Sequence, residues 1–339
     1  MKFEMQLYPL GRWRDLPDMA AAAVVAEDLG FDAVLIPSHV AVPQGPTADM
    51  IGNVWPDNFV IASYLAAATT RIRLHFAALI VPYYHPIWTA RALATVDQAT
   101  QGRVDVTVGA GWFEQEFASL QVPFAERGRI TDEYVAIMRG LWQNPTFEYD
   151  GDYVCFPSMT FEPKCYQAPH IPLWIGGKGQ AARRRVAEYG AGWTTLTGSL
   201  GDLAGEIAWM RRAVADAGRD PQDLRFGYHM GFGKRDKAHD VAASKASDAD
   251  QSALFAASPG EAIELIHRCA EAGLTHLELT TDWSRSEELI AVMRTFSAEV
   301  IAKLCRPASG PVRAGGTSPA TRVRGRSSRG RRPRRAPRR

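Results

Sequence analysis

The chain has 339 residues, is 46% hydrophobic and 22% charged, and carries a formal net charge of +2. That supply of apolar residues is enough to bury a core in one large domain or two ordinary ones. No apolar run approaches the ~18 residues of a membrane span, and the first residues have neither the basic stretch nor the apolar h-region of a secretory leader, so a cytoplasmic protein is expected. The four cysteines, Cys155, Cys165, Cys269 and Cys305, form no C-x-x-C pair and no metal-type spacing. Reduced thiols and no metal site are therefore expected.

In chain order, strands and helices alternate. "KFEMQLYP" (2–9) reads as a strand, after which Asp15 caps a helix with Pro17 in its first turn, closed by Gly30. "AVLIPS" (33–38) is the second strand and "DNFVIASYLAAATT" (57–70) its helix. "IRLHFAALIV" (72–81) leads to a helix from Ile87 to Thr100, and "VDVTVGAG" (104–111) to a long helix from Glu126 to Trp142. After this fourth helix "FEYDGDYVCF" (147–156) reads as a hairpin turning at Asp150-Gly151. The alternation then resumes with strands 173–177, 192–197, 225–232 and 275–281, and with helices 179–189, 202–217, one from Pro259 and one from about Glu287. Ser258-x-x-Glu261 and Ser284-x-x-Glu287 fit capping boxes at the last two helix starts.

Eight strands, each followed by a helix and read as apolar on both faces, predict an α/β fold: a (β/α)8 TIM barrel with a β-hairpin insertion after helix 4. The barrel domain is expected to span 1–305. A doubly wound open sheet is disfavoured, because "LGRWRD" after the first strand holds no G-x-G-x-x-G turn. A metal-dependent barrel hydrolase is disfavoured as well, since strand 1 ends in "QLYP" without an H-x-H.

Catalytic groups of such barrels gather at the C-terminal ends of the strands. His39 stands just past strand 2 there, though a loop histidine satisfied by backbone groups has the same appearance. Ala77 and Ala78 put small side chains in strand 3, where either a large ligand or the taper of the barrel would require them. Gly109, Gly111 and Trp112 end strand 4, either to admit a flat ring or to make a tight exit. "IGGKGQ" (175–180) opens a helix after a strand, which makes its backbone N–H groups, helped by Lys178, a candidate anion site; many such runs are only turns. "RRR" (183–185) reads as a solvated helix face, and the aromatic residues around 83–88 as core and pocket wall.

Four stretches, "RIRLHFAALIVPYYHPIWTARALATVDQATQGRVDVTVGAGW" (71–112), "LQVPFAERGRITDEYVAIMRGLW" (120–142), "FEYDGDYVCFP" (147–157) and "PHIPLWIGGKGQAARRRVAEYGAGW" (169–193), with "GFDAVLIPSHV" (30–40) before them, resemble the luciferase-like monooxygenase superfamily in the order that superfamily shows. The resemblance covers residues 2–300 and is weakest over 233–256. Within the superfamily it is nearest to the branch of actinobacterial type that uses the deazaflavin coenzyme F420. It implies a non-prolyl cis peptide between Ala77 and Ala78, forming a bulge against the cofactor ring, and a phosphate held at Gly176, Gly177, Lys178 and Gly179. It also implies His39 as acid/base, Ser38 as its orienting or ring-binding neighbour, Gly109, Gly111 and Trp112 beside the ring, and His85-Pro86 as a structural helix start.

The function implied is an oxidoreductase that passes a hydride between F420 and a small organic substrate. An FMN-dependent monooxygenase using oxygen is the alternative, and a non-catalytic flavin- or deazaflavin-binding protein is the contrasting class. Expected partners are a small-molecule substrate and no membrane; a homodimer is left open. The pocket-shaping segments 41–56 and 233–256 do not reveal the substrate.

Residues 306–339 are a different material. They hold twelve arginines, no acid and no large apolar residue beyond two valines, which leaves about −10 for the rest of the chain. This composition predicts a disordered tail that could attach weakly to nucleic acid or another polyanion, or that has no selected role. Its deletion is expected to leave the thermal midpoint and cofactor affinity nearly unchanged. Calorimetry of the truncated chain checks this, and a fall of many degrees would show that the tail packs on the barrel.

Overall fold

In a computed structural model, residues 1–304 are described apart from Thr197 and 235–253. The expected tail disorder and most of the segment 233–256 lie outside the described residues.

Eight parallel strands form the wall: β1 (Lys2–Gln6), β2 (Ala33–Ile36), β3 (Arg73–Ile80), β4 (Val104–Gly109), β7 (Leu173–Gly176), β8 (Gly192–Thr195), β9 (Arg225–Phe232) and β11 (His276–Thr280). Each pairs with the next, and β11 returns to β1, so the sheet closes as a (β/α)8 barrel. The antiparallel hairpin β5 (Thr146–Asp150) and β6 (Cys155–Thr160) follows the fourth barrel helix, as expected, with its turn widened to 151–154. A short parallel strand, β10 (Leu254–Ala256), adds to the outer half of β9. No helix among the described residues is long and apolar enough to cross a membrane.

Helix starts follow their caps. α1 (Leu16–Asp28) begins where the Asp15 carboxylate accepts the Asp18 N–H, with Pro17 in the first turn. Asp57 caps α3 (Asn58–Ala68) in the same way, and Ser258 caps α9 (Pro259–Glu271). Two short helices, α2 (Pro46–Ile51) and α5 (Glu114–Ser119), interrupt what the sequence presents as loop. At α10 (Ser286–Phe296) the expected Ser284–Glu287 box is absent. Glu288 instead accepts the Ser284 N–H at 3.1 Å, because Arg285 rather than Ser284 precedes the first helical residue.

β2 (AVLI) is apolar on both faces, as expected, and β7 places Trp174 inside; most of the other strands are apolar on the outward face only, contrary to the expectation of two. Outward residues such as Phe76, Val106, Phe226 and Leu277 pack under the helices. Inward positions carry buried Glu4, His75, Asp105, Thr107, Thr194 and Glu278. Their bonds skip strands, which only the inside of a closed barrel allows. Glu4 of β1 meets His75 Nδ1 of β3 at 2.8 Å, and Thr194 of β8 donates to Glu278 of β11 at 2.5 Å. Burial raises Glu4 above the usual carboxylate range against the pull of His75. Burial would raise Asp105 too, yet Arg73, which hydrogen-bonds it, holds it low, with Arg225 adding to the effect. Paired charge replaces the branched aliphatic filling usual in such a barrel.

On the outside, Glu27 at the end of α1 accepts the N–H groups of Thr70, Arg71 and Ile72 at 2.9, 2.5 and 2.8 Å, and so fixes the entry to β3. Burial opposes its ionisation, but these bonds outweigh it and lower its pKa from 4.5 to about 2. A depressed carboxylate stabilises the fold above its unfolded-state pKa, and that contribution is lost as pH falls through the folded value. Acid unfolding monitored by circular dichroism should therefore show Glu27→Gln with a flatter stability profile than the parent between pH 4.5 and 2. Parallel profiles would show that the carboxylate protonates without cost.

Candidate active site

The C-terminal ends of the strands surround a cavity of about 920 Å³. Of the residues expected at the cofactor or the reaction, all line it except Gly179, which stands just outside as the N-cap of α7 (Gln180–Glu188). His85, at the start of α4 (Pro86–Thr100), is exposed and lies away from the cavity, in keeping with a structural helix start.

β2 ends at Ile36, so His39 sits on the rim. Its Nδ1 meets Glu116 Oε2 at 2.7 Å; the imidazole is 13% exposed and the carboxylate 0%. Glu116 Oε1 accepts the N–H groups of Val40 and Ala41 at 2.6 and 3.1 Å, and Oε2 accepts the Tyr83 hydroxyl at 3.0 Å. Burial alone would raise this carboxyl; the bonds from His39 and the two backbone groups bring it below the usual range instead. The same burial, beside Glu116, pushes the Tyr83 phenol upward, so Tyr83 stays a donor. His39 thus has a fixed ring, and its Nε2 has no partner among the described residues. Glu116 escaped the sequence reading. Its only signal was a carboxylate four residues past Trp112, between Gln115 and Phe117 in α5, and no local pattern tells that from a surface glutamate.

Ser38 is buried and shares a hydrogen bond of 3.0 Å with the Tyr84 hydroxyl. Burial first raises Tyr84, to about 12. The Ala77–Ala78 peptide is cis, and the β3–β4 register shifts between Phe76 and Leu79, which makes the expected bulge. Gly111, at φ +83°, leaves no room for a Cβ, because Phe117 would stand 2.6 Å away. The tight exit therefore accounts for that glycine by itself. Trp112 stacks on Phe113 and meets the His39 ring edge-on. Trp88 is 79% exposed and belongs to neither core nor pocket, a correction to the reading of 83–88 as core and wall.

The loop after β7 is the cationic end. Gly177 has φ +97° with nothing within 4 Å of where a Cβ would stand, a bend open to an approaching group. Lys178 lines the cavity, with Nζ held over Gly198. Arg127, at the start of α6 (Arg127–Gln143), also lines it, its guanidinium anchored on the Phe124 and Gly111 carbonyls at 2.8 and 3.3 Å. Arg185 corrects the reading of 183–185 as a solvated face. It is 5% exposed, lines the cavity, and bonds Asp132 at 2.7 Å and the Gly128 carbonyl at 2.9 Å. Its helix packs that side against α6 while Arg184 remains exposed.

The floor is polar and was not foreseen. Gln6, Thr107, Thr194, His229 and Glu278 face the cavity from β1, β4, β8, β9 and β11. His229 Nε2 lies 2.5 Å from Glu278 Oε2. Burial opposes ionisation of Glu278, and the charge and bond of His229, with Thr194, bring it to about 2. These residues are far apart in sequence and meet only when the barrel closes.

Comparison with known proteins agrees with this geometry. The sequence pattern of the luciferase-like monooxygenases matches residues 4–247. An FMNH(2)-dependent dimethylsulfone monooxygenase of Pseudomonas putida is 31% identical over 199 residues, covering 58% of this chain and 53% of that protein, so the chain matches about half of that relative's length. An uncharacterised protein of Mycobacterium tuberculosis is 33% identical over 213 residues, covering 59% of this chain and 75% of its own length. Among solved structures, a monooxygenase from Streptomyces bottropensis superposes with a TM-score of 0.74 at 21% identity, over 90% of this chain and 100% of that one. A coenzyme F420 dependent tetrahydromethanopterin reductase from Methanopyrus kandleri does so with 0.69 at 18% identity, over 89% and 99%. The chain, with its closed barrel and its match over residues 4–247, belongs to the luciferase-like monooxygenase family.

Proposed function

We propose that the protein is an oxidoreductase that transfers a hydride between the deazaflavin F420 and a small organic substrate, with His39 as acid/base. The observation that carries this reading is the His39–Glu116 pair on the rim of the cavity. Such a cofactor, when bound, supplies a ring carbon that gives or takes a hydride and reacts poorly with oxygen.

The residues present fit a flat ring bearing a phosphate. Ala77 and Ala78 offer a wall of small side chains, and the loop at Gly176, Gly177 and Lys178, with Arg127, offers an open bend and positive charge. Gly179 contributes by capping the helix whose N-terminus faces that end. Ser38, Gly109, Gly111 and Trp112 supply the remaining wall. Glu116 holds the tautomer of His39, and as a carboxylate it stabilises the imidazolium formed when Nε2 takes a proton. The bonds of Glu116 to Val40 and Ala41 keep this pair from turning away.

A second reading, an FMN-dependent monooxygenase, is favoured by the name of the Pseudomonas putida relative. Absorbance titrations of the full chain with F420 and with FMN separate the two. Tight binding of F420 alone is expected; binding of FMN alone would overturn the first reading, and binding without turnover of any substrate would leave a binding protein.

His39→Ala should lower turnover by roughly 10²–10⁴, remove one limb of the pH–rate profile and leave cofactor affinity nearly unchanged. Turnover and profile both unaltered in the folded variant would remove His39 from the mechanism. Glu116→Ala leaves two backbone N–H groups and a phenol without their acceptor, and should cost about 1–3 kcal/mol in urea denaturation. Glu116→Gln keeps one acceptor oxygen and should cost less. Equal midpoints for the parent and both variants would show that Glu116 does not hold the rim.

A further inference from the structure

The cavity contains a second histidine–carboxylate pair that the proposed reaction does not use. Glu278 is 1% exposed. One of its oxygens accepts from Thr194 at 2.5 Å and the other lies 2.5 Å from His229 Nε2, so the chain's own donors occupy both. As a carboxylate it cannot donate, so His229 Nε2 carries the hydrogen between them. The Nδ1 of His229 is left as the second ring nitrogen, on a side chain that lines the cavity, with no partner among the described residues. Glu278 has no oxygen left to bond a ligand and instead orients that ring.

Thr107 joins the floor to another buried pair. Its Oγ1 lies 2.8 Å from His75 Nε2, and His75 Nδ1 lies 2.8 Å from Glu4. Burial raises Glu4 and opposes protonation of His75, while the attraction of Glu4 outweighs this and raises His75. The Thr107 hydroxyl, tied to His75 in this way, also lines the cavity. Near His39 the cavity is aromatic instead: Trp55 stacks on Tyr8 with centroids 5.6 Å apart and approaches the His39 ring to 4.5 Å.

We propose that the floor is a substrate-anchoring subsite, where His229, oriented by Glu278, accepts at Nδ1 a hydrogen bond from an uncharged hydroxyl group of a substrate with an apolar body. The Thr107 hydroxyl lines the same floor. The Glu278 carboxylate at the floor disfavours anionic substrates, while Lys178 and Arg127 at the other end draw phosphate away from it. The substrate class rests on the redox reading of this cavity; the subsite itself is tested by binding alone.

The test uses the full chain and two probes that differ only in charge at one end, cyclohexanol and cyclohexanecarboxylate, with affinities from ligand-observed NMR titration. Cyclohexanol should bind at least about tenfold more tightly, the margin expected when an anion meets buried negative charge. In His229→Leu/Glu278→Leu, which removes both partners and leaves no lone buried charge, cyclohexanol affinity should fall roughly two- to tenfold, the worth of one neutral hydrogen bond. Cofactor affinity should hold within about twofold, since the cationic end is untouched. If that variant does not fold, His229→Leu/Glu278→Gln, which keeps an acceptor for Thr194, serves in its place. Equal affinity for the two probes, or an unchanged cyclohexanol affinity in the folded variant, would overturn the subsite. F420 and FMN titrations of the same samples judge the redox reading separately: cofactor binding without probe selectivity sinks the subsite alone, and probe selectivity without cofactor binding sinks the redox reading alone.

Discussion

Glu116 has no solvent contact, and both its oxygens are occupied by His39, Tyr83 and the backbone N–H groups of Val40 and Ala41. A buried carboxylate left with fewer bonds would be costly, so the loop after β2 cannot swing away without exposing that charge to an apolar surrounding. The bulged strand β3 and the exit of β4 meet at the same place, because Tyr83 follows β3 and Glu116 follows β4. One side chain therefore ties three consecutive strand ends together and sets the orientation of the only rim histidine among the described residues that lines the cavity beside them.

The same rule runs through the barrel interior. Glu4, Asp105 and Glu278 are buried where most barrels place branched aliphatic residues, and each is matched by a cation or a donor: His75, Arg73 with Arg225, and His229 with Thr194. A paired interior of this kind gives little net stability, since desolvation offsets attraction. It does fix ring orientations and bond directions, which an aliphatic interior could not do. The polar layer ends at the cavity floor, so the order imposed below is passed to the groups that a ligand meets.

The cavity consequently has regions of different character. Its cationic end lies around Lys178, Arg127 and Arg185, its rim holds His39 beside Trp55 and Trp112, and its floor holds Thr107, His229 and Glu278. A ligand bearing a phosphate and a flat ring is complementary to the first two. Separation of the cationic end from the negatively charged floor gives such a ligand one orientation, which is what hydride transfer needs from its protein.

The sequence by itself determined the barrel, because strand and helix periodicity, caps at Asp15 and Ser258, and turn residues are local signals that each segment carries within a few residues. It also located His39, the Ala77–Ala78 bulge and the glycine loop after β7, since these sit at strand ends and match a known family order. Tertiary structure alone decided their partners. Glu116 is 77 residues from His39, Thr194 is 84 from Glu278, and Arg185 is 53 from Asp132. A charged residue at an inward strand position has the same local pattern whether it faces water or a partner across the barrel. Only closure brings residues from non-neighbouring strands within hydrogen-bond reach, and only burial then turns an ordinary glutamate or arginine into a fixed part of a site.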